Sequence, residues 1–244
     1  MPRWVLTKRA VHLEEIMDDP DCDPVLLNNT YDWFARLNPW LGRWKAVYRS
    51  HVRPHLHAQR PTRILDIGCG AGDVLRLIRT LAARDGRQVE LVGIDPDPRA
   101  IAYARTQEQG PFLSFENCYS SDLVARGAMF DIVLSNHVLH HLDADQLTVL
   151  LRDSDKLSTG LVVHNDIKRD DMAWVAFLPV GLICRDSFIL TDGLRSIRRA
   201  WHPDELGALV PPGWSVETRS PFRLLITRIR APESPPFNTQ LPSS

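Results

Sequence analysis

The stretch that decides the fold is RILDIGCGAGDVL, residues 63–75. Ile64, Leu65 and Ile67 form a short apolar run around Asp66, as a buried strand requires, and DVLRLIRTLAARD, 73–85, continues as an amphipathic helix. Gly68, Gly70 and Gly72 fill the turn between them. Glycines there allow a tight backbone path and close approach of a ligand that a Cβ would obstruct. A dinucleotide-binding turn carries glycine at its first, third and sixth positions, whereas the sixth here is Asp73. A pyrophosphate would meet the carboxylates of Asp66 and Asp73, while a ligand bearing an ammonium group would not be repelled.

Working outward, VELVGID (89–95), FLSFEN (112–117), FDIVLSN (130–136) and GLVVHND (160–166) read as further strands. Helical segments at 98–109 and 143–157 lie among them, so crossover connections and a mostly parallel sheet covered on both faces are expected. A short helix, PDELGALV, and a strand pair, GWSVETRS and FRLLITRI, close the pattern. Asp95 ends the second strand, 29 residues beyond Asp66, where a carboxylate can accept two ribose hydroxyl hydrogens. Asp97 is the competing acid, but it lies two residues into the turn.

The composition bounds the reading. Of 244 residues 44% are apolar, and 29 Lys and Arg against 30 Asp and Glu leave a net charge of -1. That excludes a largely disordered chain and disfavours a strongly basic nucleic-acid binder. Cys22, Cys69, Cys118 and Cys184 are scattered without a CxxC pair, which suits free thiols in a reducing compartment. MPRWVLTKRAVHLEE has no apolar leader core, and the longest apolar run, 172–184, is too short to span a membrane; a cytoplasmic protein without a transmembrane segment is expected.

From Arg63 to Asp166 the chain resembles the class I S-adenosylmethionine-dependent methyltransferases, on DIGCGAG, GIDPD and FDIVLSNHVLHHL. The likeness extends more weakly to the closing helix and strand pair. The resemblance implies an α/β Rossmann-like fold: a mostly parallel seven-stranded sheet with an antiparallel terminal strand, an N-terminal helical lid and a cap insertion after strand five. It implies S-adenosylmethionine as cofactor, with Asp66 and the backbone of Gly68, Gly70 and Gly72 around its methionine part and Asp95 on its ribose. The acidic adenine contact usual in the family is not cleanly placed; Ser121 or Asp122 stands nearest, and Asn136 is a candidate for the donor carboxylate or adjacent loop. Residues 1–60 are expected as helical segment and lid, 61–229 as the core with 167–201 as substrate cap, and 230–244 as a disordered tail.

For the chemistry, His164, Asn165 and Asp166 follow the GLVV strand on the ligand edge. His164 is a candidate general base toward a phenolic proton, Asp166 its orienting partner, and His141 of HVLHHL the rival base. Adjacent His140 and His141 need not aim at one centre, and with no Cys-rich or HExxH pattern no metal is expected. Tyr31 and Trp33 of the N-terminal segment, with Trp174, Phe177 and Arg198 of the cap, are candidate acceptor contacts. Within the family the chain looks similar to actinobacterial small-molecule methyltransferases acting on aromatic, polyketide or quinone-like compounds. The expected function is methyl transfer to a hydroxyl of a small, largely apolar aromatic or polyketide-like metabolite. The alternatives are C-methylation of a quinone or polyketide ring, RNA methylation, or a noncatalytic cofactor-binding protein. Nothing in the sequence bears on oligomerisation.

Overall fold

A computed structural model describes residues 6–107 and 110–230. The tail expected at 230–244 therefore lies, but for Arg230, outside the described residues. Seven strands, β1 (Thr62–Ile67), β2 (Val89–Asp95), β3 (Leu113–Asn117), β4 (Phe130–Asn136), β5 (Ser158–Ile167), β6 (Ser215–Arg219) and β7 (Arg223–Ile229), form one sheet in the order β3-β2-β1-β4-β5-β7-β6. All neighbours run parallel except around β7, which is antiparallel to both β5 and β6. The antiparallel strand is thus last in the chain but not at the sheet edge. Strand order reverses between β1 and β4, and in open α/β sheets ligands bind at the carboxyl ends of the strands beside such a switch.

Nine α-helices are described: α1 (Pro24–Leu41), α2 (Trp44–Val47), α3 (Asp73–Arg84), α4 (Pro98–Thr106), α5 (Ser120–Ala125), α6 (Ala144–Leu157), α7 (Asp171–Phe177), α8 (Ile189–Arg199) and α9 (Pro203–Gly207). Alternation along the strands divides the core. Ile64, Leu91, Ile132 and Val163 pack beneath α2, α3 and α4, while Leu65, Val133, Val162 and Ile226 pack beneath α5, α6 and α9. Trp44, fully buried, anchors the N-terminal helices to the first layer.

Gly42 ends α1, while Pro39 lies inside it. Pro39 sits in the last turn of α1, where it removes a single N–H without stopping the helix. Asp23 starts α1 by accepting the N–H groups of Val25 and Leu26 at 2.7 and 3.1 Å. After β5 the chain leaves the sheet through α7, a 3-10 turn at Leu178–Leu182, and α8.

Candidate active site

At the carboxyl edge of the parallel strands lies a cavity of about 590 Å³, bounded by the glycine turn, α1, the α7–α8 excursion and the start of β7. Its donor end is acidic. Gly68, Gly70 and Gly72 all have positive φ, at 69°, 51° and 77°. A Cβ built on Gly70 would meet no protein atom within 4 Å, so the turn offers open backbone to a ligand. Asp95 secures this turn: its Oδ2 accepts the Gly70 N–H and its Oδ1 the Asp97 N–H, each at 2.9 Å. Asp66 is 1% exposed, and its Oδ1 has no hydrogen-bond partner. Burial, then the charges of Asp73 and Asp95, push its carboxyl well above the usual range. Asp73 accepts from Asn38 Nδ2 at 3.0 Å. An orphaned carboxylate oxygen beside two more acids needs a cation, and the donor anticipated from the sequence carries an ammonium and a sulfonium. The residues present therefore fit that ligand.

The histidines after β4 form the opposite wall with residues 6–19, part of the region expected as helical, which carry only a 3-10 turn at Ile16–Asp18. Residues 6–19 run across α8 as a strap held largely by arginines. Arg99 donates to the carbonyls of Met17 and Asp19, Arg195 to that of Glu14, and Arg199 to that of Leu13. Arg9 of the strap donates back to the carbonyls of His140, Leu142 and Arg199. The strap brings Glu15 into the interior. His140 lies buried between two acids, with Nδ1 2.8 Å from Asp166 Oδ1 and Nε2 3.2 Å from Glu15 Oε1. Burial opposes protonation of His140, but Asp166 and Glu15 outweigh it and raise the imidazole to about 9. Burial likewise opposes ionisation of Glu15; His141, His140 and Ser196 outweigh it and lower the carboxyl to about 2. His141 lines the cavity, 3.3 Å from Asp18 and 3.8 Å from Glu15. Glu15, His140 and His141 are close enough to converge on one ion, as are His137, His140 and Asp166. Both groups share His140, whose two ring nitrogens each already face a carboxylate.

Arg223, at the start of β7, supplies a cation on the acceptor side. It is 2% exposed, and its partners are Asn165 Oδ1 at 3.1 Å, His137 Nε2 at 3.1 Å and Asn136 Oδ1 at 3.4 Å. Burial lowers the guanidinium to about 10, leaving it charged at neutral pH. Burial and then Arg223 hold the His137 imidazole at about 3, so that ring is neutral. His137 also has φ of 60°, a strained backbone for a residue with a Cβ, at the turn where β4 leaves the sheet.

Several sequence candidates converge here: Asp66, Gly68, Gly70, Asp95, Asn136, His141, Tyr31 and Phe177 all line the cavity. Others do not. His164 shares the sheet face of Val162 and Ile226, away from the cavity. Its ring is fully buried, stacked on Trp214 with centroids 5.9 Å apart, and its Nδ1 shares a 2.8 Å hydrogen bond with Ser135 Oγ. Burial holds it at about 3. Strand parity thus removes it from the position of a base. Asp166 reaches the site only through His140, accepting its backbone N–H and ring, and His140 and other charged neighbours hold its carboxyl low against burial.

Asp122 spends its carboxylate capping α5 through the Tyr119 N–H, and Ser121 is exposed on that helix, so neither lines the cavity. Gly72 also stands back: a Cβ there would meet the Phe115 ring at 2.4 Å. Trp33 stacks with Arg36 and neither it nor Trp174 lines the cavity, whereas Phe177 packs on Gly193 of α8. Arg198 is exposed, and the buried neighbour is Arg199, which clamps the carbonyls of His140 and His141. Sequence reasoning missed Glu15 and Arg223. Glu15 had no local signal; Arg223 had one, a charge opening the strand RLLITRI directly before the apolar run Leu224–Ile226.

Comparison with known proteins bears on this arrangement. A family model described as a methyltransferase domain matches residues 64–157. Two ubiquinone biosynthesis O-methyltransferases from strains of Cereibacter sphaeroides are similar to the chain. One is 34% identical over 150 residues, 56% of this chain and 58% of its own length. The other is 32% identical over 176 residues, 64% of this chain and 68% of its own. The chain thus spans between about half and two thirds of the length of these relatives. Among solved structures, the plantazolicin methyltransferase BpumL, in complex with a pentazolic desmethylPZN analog and SAH, shares the fold with a TM-score of 0.65 at 14% identity. That match covers 88% of this chain and 93% of the other.

Proposed function

The chain belongs to the class I S-adenosylmethionine-dependent methyltransferases, and we propose that it methylates a hydroxyl of a small, largely apolar aromatic or polyketide-like metabolite. The observation that carries this reading is the division of one cavity into an acidic end and an apolar end. Asp66, with its unpaired Oδ1, would hold the donor's ammonium, and Asp95 its ribose hydroxyls, beside the open backbone of Gly70. The donor supplies an electrophilic methyl group on a sulfonium. Tyr31 and Phe34 from α1, with Ala173, Phe177 and Val180 from the excursion after β5, would enclose the acceptor's body and exclude water. In this reading residues 1–60 and 167–201 serve as lid and cap on a core within 61–229. Among the described residues no helix is long and apolar enough to cross a membrane.

An O-methyl product is supported by the similarity to O-methyltransferases and by the polar cluster of Arg223, His137 and Asn136 facing the apolar compartment. The test is direct. Titrate the purified chain with S-adenosylmethionine and its demethylated product by calorimetry, then screen phenols, naphthols, hydroxyquinolones, carboxylic acids and short RNAs for methyl transfer. Mass spectrometry and NMR of the product should find the methyl on oxygen. Turnover confined to RNA or to highly polar metabolites, or a methyl carried on carbon, overturns the proposal.

A further inference from the structure

We propose that Arg223, with Asn136 and His137, forms an oxyanion subsite, so that the acceptor is bound with its reacting oxygen already ionised and no side chain acts as general base. This rests on the methyltransferase reading and narrows its substrate class to acceptors with an acidic hydroxyl.

The first support is an uncompensated charge. Arg223 is almost wholly buried, lines the cavity, and meets only neutral side chains: two amide oxygens and an imidazole nitrogen. Among the described residues no carboxylate pairs with it, and Asp166, already committed to His140, acts on it only through space. A buried cation of this kind is costly unless an anion reaches it.

The second support is the state of the imidazoles. His137 accepts from Arg223 on Nε2. Both nitrogens of His140 face carboxylates, His141 is turned to Glu15 and Asp18, and His164 lies across the sheet. His137 and His140 are thus committed to protein partners, and His164 is out of reach. Both nitrogens of His141 stand beside carboxylates, so ionisation by Arg223 rather than proton transfer to an imidazole is the step these positions favour.

The third support is position. Arg223 pairs in register with Ile167 on β5, and β7 lies three strands from β1, about 14 Å at the usual spacing. The Arg223 guanidinium reaches back to Asn136 at the end of β4, which sets the subsite between the donor end at β1 and the apolar compartment. S-adenosylhomocysteine affinity in the Arg223 variants separates the acceptor from the donor carboxylate.

In the transfer step a lone pair of the acceptor oxyanion forms the carbon–oxygen bond to the methyl carbon. The carbon–sulfur bond breaks as this happens, and its electron pair stays on sulfur. The negative and positive charges cancel, and no proton moves, because the hydroxyl proton left for solvent on binding. Arg223 makes the bound hydroxyl more acidic, so the ionised form is populated near neutral pH.

Two measurements test this. First, bind a nitrophenol, whose absorbance reports ionisation, to the wild-type protein saturated with S-adenosylhomocysteine, and titrate pH. It should bind as the phenolate, with an apparent pKa lowered by about one unit or more. Binding as the neutral phenol, or no saturable binding, overturns the subsite. Second, compare Arg223→Gln and Arg223→Lys. Gln should raise acceptor KM about 10–100-fold with unchanged S-adenosylhomocysteine affinity, more severely for weakly acidic phenols, and Lys should recover part of the loss. A purely structural role would affect all acceptors alike. Weakened S-adenosylhomocysteine binding with unchanged acceptor KM would assign Arg223 to the donor carboxylate and refute the proposal. If Arg223→Gln does not fold, the spectra of wild type and Arg223→Lys decide. Turnover of phenols that bind only in the neutral form would sink the subsite and leave the methyltransferase reading standing. Phenolate binding without methyl transfer to any acceptor would do the reverse.

Discussion

Replacing Asp95 separates two jobs that one carboxylate performs. In the structure both oxygens are engaged by the protein, Oδ2 with the Gly70 N–H and Oδ1 with the Asp97 N–H, each at 2.9 Å. Each oxygen retains a further lone pair for a ligand hydroxyl. Asp95→Asn preserves the shape, removes the charge and turns an amide NH₂ toward one of the two N–H donors. Losing one charge-assisted bond costs about 1.5–3 kcal/mol, so S-adenosylhomocysteine should bind about 10–150-fold more weakly. Asp95→Ala also releases the glycine turn, and its loss should exceed that of Asn, with about 6 kcal/mol as the ceiling for two bonds because water fills the truncated site. The assay is calorimetry at fixed ionic strength, accompanied by thermal unfolding without ligand to register damage to the turn. Burial raises the Asp95 carboxyl above its ordinary value, so the affinities should be compared at more than one pH. An Asp95→Ala protein that unfolds like wild type and binds S-adenosylhomocysteine within about threefold of it would refute the reasoning.

His164→Gln should leave single-turnover methylation within about threefold of wild type while costing about 1–2 kcal/mol of stability, because the ring fills a buried slot against Trp214; a large rate loss at full donor occupancy would restore it as a base. Gly193→Ala places a Cβ 2.2 Å from the Phe177 ring, which must move toward the cavity, so bulky acceptors should lose KM before small ones, as a size series will read. The imidazoles and Glu15 together favour stability near pH 6.5, against which the raised carboxyls of Asp66, Asp73, Asp95 and Asp192 pull toward lower pH. Raised in the folded state to about 9, His140 contributes fully below its unfolded value of 6.5, and that contribution is lost as pH rises through 9. On the acid side, His137 and His164, both lowered to about 3, lose their contribution as pH falls below 6.5, and Glu15, lowered to about 2, does so below 4.5. Denaturant midpoints across pH test this, and Glu15→Gln should flatten the alkaline limb by removing one of the two carboxylates that hold His140.

The parallel strands could be read from the chain because each holds a short apolar run, closed by Gly68 after β1, by Asp95 and Pro96 at the end of β2 and by asparagine at the ends of β3 and β4. The register then carries Asp66 and Asp95 to one edge. The acidic end of the site is local in sequence and was legible for that reason. The acceptor side is not local. Arg223 becomes a site residue only because β7 inserts antiparallel between β5 and β6 and brings its first residue level with Ile167. Glu15 arrives from a segment with no periodicity, held by contacts more than a hundred residues away. His164 was misjudged from its place after an apolar run: β5 extends through Ile167, so His164 is still inside the strand, where alternation turns it toward Trp214.

The strap over the cavity is held by guanidinium groups gripping main-chain oxygens: Arg99 on Met17 and Asp19, Arg195 on Glu14, Arg199 on Leu13. Every amino acid carries such an oxygen, so this part of the grip is indifferent to the side chains at 13, 14, 17 and 19, whereas Arg9 and Glu15 hold by their own side chains. Met17 and Asp18, which face the cavity, can be exchanged without loosening those anchors. Attachment and selectivity are thereby written in separate parts of the same fourteen residues. A library varied at positions 17 and 18 would sample new acceptor preferences on a roof that stays fastened.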